Sequence, residues 1–166
     1  MKITKLITLA DSITLLGAGA GFLSIIFSFQ HQFAFASIGM LVAAVLDGLD
    51  GRIARWRHQA HLFGKELDSL ADTVSFSVAP AVFGYLLAGR TVPTLVGGIF
   101  FLLCGIARLA RFNIMKHAAF FEGVPITVNG IVFPALYFFG VPTIGIPIIF
   151  VIMGFLMVSQ RKIKKW

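Results

Sequence analysis

The chain has 166 residues, of which 58% are hydrophobic and 13% charged, with a mean hydropathy of +0.92. A soluble domain of this size carries about 25% charged residues and leaves roughly 30% of its unfolded surface in water, so these values exclude a soluble globular domain, a disordered tail and a secreted disulfide scaffold. The single cysteine, Cys104, excludes intramolecular disulfides, and the net charge of +7, gathered at segment ends instead of over a soluble face, excludes nucleic acid as a partner.

In chain order, Met1–Ala10 reads as a short amphipathic lead-in on the membrane surface. Met1–Gly21 is not expected to be a cleaved leader, because Asp11 interrupts its apolar core and it has no convincing small-residue cleavage site. No Asp, Glu, Lys or Arg lies between Asp11 and Asp47, between Asp72 and Arg90, between Arg90 and Arg108, or between Glu122 and Arg161. A span needs about 17–25 apolar residues, which predicts six: Ser12–Gln30, Phe33–Ala54, Leu67–Ala88, Val92–Ala110, Val124–Gly140 and Thr143–Ser159. In the first, Gly17, Gly21, Ser24 and Ser28 form a small-residue stripe suited to close helix packing. The expected fold is an all-α integral membrane domain over residues 1–166, six transmembrane helices behind the amphipathic lead-in.

Of the 14 Lys and Arg residues, all but Arg90 fall on one side of these six spans. The positive-inside rule makes that side cytoplasmic and puts both termini there. All seven acidic residues share it, and five of them lie between Asp47 and Asp72. Acidic groups at the ends of apolar helices are functional candidates.

Those acids are patterned. Positions 47, 50, 51 and 54 return to one helix face, so Asp47 and Asp50 point together, followed by the small Gly51 and Ala54. Asp68 and Asp72, four apart, also share a face. An antiparallel hairpin with a loop of about ten residues brings the four carboxylates together. Two readings follow: a network of Asp–Arg bridges through Arg52 and Arg55, or a site for divalent cations. Oxygen-only donors favour Mg²⁺, Mn²⁺ or Ca²⁺, and a pair of such ions clamps phosphate oxygens during an in-line displacement. His58 and His61, in the loop, read as interfacial residues.

The spacing D-x2-D-G-x2-A-R-x8-G-x3-D-x3-D, met by Asp47, Asp50, Gly51, Ala54, Arg55, Gly64, Asp68 and Asp72, resembles the signature of the CDP-alcohol phosphotransferase family. The six-span layout extends the resemblance over nearly the whole chain. It implies a metal-dependent membrane phosphotransferase with two divalent cations (Mg²⁺ or Mn²⁺, with Ca²⁺ possible) held by Asp47, Asp50, Asp68 and Asp72. It further implies that Asp72 is the general base, and that Asp50, Gly51, Ala54, Arg55 and Gly64 bind the CDP moiety. The family also implies a homodimer, with the active site at the cytoplasmic face of the cell membrane.

The flanks narrow the resemblance. Glu66-Leu-Asp-Ser-Leu-Ala-Asp72, Ser75-Phe-Ser77, Ala79-Pro-Ala81, Arg108-Leu-Ala-Arg-Phe-Asn113 and Gly123-Val-Pro125 are similar to the phosphatidylserine synthase branch. Ser77 stands where glycine is common, and Gly17 where the family often has asparagine. The branch implies CDP-diacylglycerol and L-serine as substrates, CMP as a product, and a role in phospholipid biosynthesis. Arg108, Arg111 and Asn113 are the expected headgroup residues: a guanidinium pairs bidentately with a carboxylate or phosphate. Alternatives within the family take glycerol phosphate or inositol phosphate, or an archaeal ether lipid. An alternative of another class, a small transporter or channel, requires a polar file across the bilayer, which spans one, five and six lack.

Overall fold

The computed structural model describes residues 7–57, 61–114, 121–159 and 162–163. Residues 1–6 of the lead-in, His58, Lys116 and most of the C-terminal basic cluster lie outside them. The architecture is helical: α1 (Leu9–Phe29), α2 (Phe33–Trp56), α3 (Leu62–Asp72), α4 (Ala79–Leu87), α5 (Val92–Ile114), α6 (Asn129–Phe138) and α7 (Ile146–Val158). A π-helical turn, Thr73–Val78, joins α3 to α4 in one continuous rod, and 3-10 turns lead into α6 and α7. A two-residue antiparallel pair, β1 (Phe121–Glu122) with β2 (Lys162–Ile163), is the only strand pairing among the described residues.

Among the described residues, four helices are long and apolar enough to cross a membrane: Leu9–Phe29, Phe33–Trp56, Leu62–Leu87 and Val92–Ile114. Where the fifth and sixth spans were expected, the chain forms shorter apolar helices, Ile126–Phe138 and Thr143–Val158. Proline sets their starts, since Pro125 and Pro142 precede the 3-10 turns and cannot donate the hydrogen bond that would extend a helix backwards. Large apolar side chains such as Leu16, Phe22, Val45, Leu103, Ile148 and Phe155 are exposed on the outer faces. That is the surface of a multi-pass membrane protein, where lipid takes the place of water.

Inside, α1 packs most extensively on α2, and α5 on α7. Gly17, Gly21, Ser24 and Ser28 are all buried on α1, as the small-residue stripe predicts. The opposite half of the bundle is cored by phenylalanine: the rings of Phe101, Phe133 and Phe150 stand 5.2–5.5 Å apart, centre to centre.

The π-turn organises the centre. Three consecutive residues, Ser75, Phe76 and Ser77, are buried there, each against a different helix. The Ser75 hydroxyl donates to the Gly17 carbonyl of α1 at 3.3 Å. Phe76 fills the space beside Gly130 of α6, where a Cβ would lie 2.6 Å from its ring. Ser77 sits over Gly105 of α5, whose Cβ would come within 3.3 Å of the serine Cβ. The departure at Ser77 is thus accommodated by a glycine opposite. Asn129 Nδ2 donates to the Phe76 carbonyl at 3.1 Å, giving a partner to backbone within the widened turn.

Gly21→Val would place a Cβ 2.7 Å from the Ser75 Cα, whereas Gly19 faces open space. The expected outcome is a loss of about 1–3 kcal/mol of stability for Gly21→Val, the usual cost of overpacking. Gly19→Ala should be close to neutral. Thermal unfolding in detergent, followed by circular dichroism, checks both.

Candidate functional site

The site begins with two helix ends. Helix α2 runs on to Trp56 and α3 starts at Leu62, so both helices extend further towards each other than predicted. Asp47 and Asp50 therefore meet Asp68 and Asp72 directly. Asp47, Asp50 and Asp68 each place one carboxylate oxygen within 4.8 Å of the others. Asp72 lies one turn deeper and is within hydrogen-bonding reach of Asp47. Two carboxylates that close require a shared proton or a cation between them.

Among the described residues, neither Arg52 nor Arg55 forms a salt bridge with any of the four aspartates. The Asp–Arg bridging alternative therefore does not describe this hairpin. The oxygen-only donor set fits a hard divalent cation of the Mg²⁺, Mn²⁺ or Ca²⁺ kind. Three converging carboxylates make the same point, since each relieves its repulsion by sharing positive charge.

Helix α1 supplies partners that sequence reasoning missed. Thr14 Oγ1 donates to Asp50 Oδ2 at 2.5 Å, inside the bundle. Asp11, buried at 4% exposure, forms a capping box with Thr8: Thr8 N donates to Asp11 Oδ2 at 2.7 Å and Asp11 N to Thr8 Oγ1 at 3.3 Å. Its Oδ2 also lies 3.2 Å from His61 Nε2. His61 Nδ1 in turn accepts from Gly64 N at 2.9 Å and caps α3. His61 is thus a cap and a tether, not only an interfacial loop residue. The signal was the i, i+3 spacing of Asp11 and Thr14 on one face of α1, which the apolar character of that span obscured.

Two chambers open on either side of the aspartates, and Asp50, Gly51 and Asp68 border both. The smaller, about 170 Å³, is also bordered by Asp11, Thr14, Ala54, His61, Gly64 and Lys65. The larger, about 320 Å³, is bordered by Asp47, Arg55, Ser69, Asp72, Arg108 and Thr127, among others. The expected CDP-binding set is divided between them: Ala54 and Gly64 face the smaller, Arg55 the larger. Gly64 has a steric reason to be glycine, since a Cβ there would lie 2.6 Å from Asp11 Oδ1.

The expected headgroup residues also separate. Arg108 is buried on the wall of the larger chamber, interacts electrostatically with Asp72, and keeps its Nε without a hydrogen-bond partner. Arg111 turns towards α7, its Nη1 3.5 Å from the Val158 carbonyl. Asn113 ties α5 to α3 by accepting from Ser69 Oγ at 3.1 Å and donating to Glu66 Oε2 at 3.3 Å. Arg111 and Asn113 do not border the chamber. Ser69 and Thr127 do, and the sequence reading passed over both.

Comparison with known proteins places this geometry in context. The sequence profile described as CDP-alcohol phosphatidyltransferase matches residues 7–162. A protein named archaetidylserine synthase from Methanothermobacter thermautotrophicus is 42% identical over 144 residues, covering 84% of this chain and 61% of its own length. A CDP-diacylglycerol–serine O-phosphatidyltransferase from Saccharomyces cerevisiae is 40% identical over 134 residues, covering 70% of this chain and 49% of its own. One of the same name from Methanocaldococcus jannaschii is 35% identical over 167 residues, covering 99% of this chain and 78% of its own. The chain thus spans about half to three-fifths of the length of the first two relatives.

Thr14→Val removes the hydroxyl that orients Asp50 while keeping the side-chain shape. The expected effect is a roughly tenfold weaker affinity for Mn²⁺, the lower end of what loss of a partner behind a metal ligand costs. Titration of the purified protein with Mn²⁺, followed by electron paramagnetic resonance, reads it directly.

Proposed function

We propose, from the premise that the chain belongs to the CDP-alcohol phosphatidyltransferase family, that it transfers the phosphatidyl group of CDP-diacylglycerol, or its ether-lipid counterpart, to L-serine with release of CMP. The observation that carries this reading is the convergence of Asp47, Asp50 and Asp68 between two chambers, one of which also holds Asp72 and the buried Arg108. The names of the relatives support serine as acceptor and both lipid types as donor.

In this reading the nucleotide occupies the smaller chamber, where Gly51, Ala54 and Gly64 leave room beside the backbone. The pyrophosphate lies across the aspartates. Asp47, Asp50 and Asp68, with Asp72 contributing, would hold two divalent cations, which supply charge neutralisation at the phosphate oxygens. Asp72 takes the proton from the serine hydroxyl as that oxygen attacks the phosphorus bearing the lipid. The new oxygen–phosphorus bond forms, the bond to the bridging oxygen of the pyrophosphate breaks, and CMP carries away the electron pair. A general base must be within hydrogen-bond reach of the proton it takes, and Asp72 shares the larger chamber with Arg108.

Arg108 pairs with the serine carboxylate. Arg55 and Arg108 are the basic side chains bordering that chamber among the described residues, and Arg55 is exposed. One buried guanidinium matches a single carboxylate better than the doubly charged phosphate of glycerol phosphate or inositol phosphate. Six spans, cytoplasmic termini and a cytoplasmic active site follow from the charge asymmetry, with Arg90 at the opposite end of the bundle from the aspartates. A homodimer completes the reading on family grounds.

Purified protein given Mn²⁺ or Mg²⁺, CDP-diacylglycerol and a panel of alcohols should release CMP with serine and not with glycerol phosphate or inositol phosphate. CMP release with none of them overturns the reading. Asp72→Asn should reduce turnover by at least about a hundredfold, as expected for a general base, and chelation by EDTA should abolish it reversibly.

A further inference from the structure

Helix α1 holds both aspartate helices by two polar ties on one face. Thr14 grips Asp50 of α2, and Asp11 meets His61 at the start of α3. The second tie touches none of the four aspartates, yet its members border the smaller chamber beside Lys65 and Asp68. Its construction is specific. His61 Nδ1 accepts from Gly64 N, which turns Nε2 towards Asp11 Oδ2 at 3.2 Å, a close polar contact without hydrogen-bond geometry. Asp11 is itself held by two donors from Thr8, so the carboxylate cannot swing. Gly64 lets the first turn of α3 settle directly against Asp11 Oδ1.

We infer that the Asp11–His61 pair positions the first turn of α3 as one wall of the nucleotide chamber, and so sets the affinity for the CDP moiety without taking part in phosphoryl transfer. This inference rests on the reading that CDP occupies that chamber. Without the tie, α3 keeps its deeper anchors, the Asn113 contact with Ser69 and the π-turn, which hold Asp72 in place. Loosening is therefore confined to the turn that carries Gly64 and Lys65. Asp11 and His61 are positioning residues.

The test compares His61→Ala, His61→Asn and Asp11→Asn in the full chain, reading KM for CDP-diacylglycerol, kcat, and direct binding of CDP in the presence of Mn²⁺. Asparagine is a good helix N-cap, so His61→Asn keeps the cap on α3 but is too short to reach Asp11. All three variants should raise KM and weaken CDP binding roughly fivefold, the upper range for a partly exposed charged contact, with kcat within about twofold of the parent protein. A His61→Asn variant with parental KM would reduce His61 to a helix cap and overturn the inference. So would a fall in kcat at unchanged KM. If the parent protein itself neither binds CDP nor releases CMP, the functional reading fails first, and the two failures are told apart.

Discussion

Four carboxylates at one end of an apolar bundle repel one another, and the protein must hold them together against that repulsion. Every feature around the site answers to this constraint. Helices α2 and α3 cannot simply lean together on apolar contacts, because the faces that meet carry Asp47, Asp50, Asp68 and Asp72. A bound divalent cation would supply part of the answer. The fold supplies the rest by clamping the aspartate helices from outside, with α1 on one side and α5 and α6 on the other.

The clamp is built from small residues and short polar reaches. Gly17 and Gly21 bring α1 close enough for its carbonyl to meet Ser75. At the same closeness, Thr14 and Asp11 reach across to Asp50 and His61. A larger residue in the stripe would push α1 away and lengthen each of these contacts together. Packing and electrostatics are thus one design: the glycines make the distances at which the polar ties exist.

The sequence made the helices and the acidic centre legible for a physical reason. Apolar stretches bounded by charge leave few foldings open in a membrane, and aspartates at three- and four-residue steps must share a face. The extent of the loop between α2 and α3 was less legible, because an amphipathic helix end beyond the apolar stretch resembles a loop in composition. The shortness of the last two helices is a matter of proline placement, which span length alone does not register. Arg108, Arg111 and Asn113 looked equivalent from spacing, since positions within one turn and a half of a helix end can all reach the same space. Their partners on α3 and α7 separate them, and those partners lie more than forty residues away in sequence. Thr14 and Asp11 were hidden for the same reason: what they hold belongs to other helices.

The π-turn has a mechanical consequence. Ser75, Phe76 and Ser77 lodge against glycines of three separate helices, so the rod that carries Asp68 and Asp72 is keyed like a shaft. It cannot slide along its axis or rotate without lifting out of all three seats at once. The depth and the angular setting of the two aspartates are thereby fixed from below, within the bundle, and not from the connection above. Deleting a single residue from the turn would rotate everything on the aspartate side by about a hundred degrees, the angle of one helical residue, and turn the carboxylates away from their partners on α2.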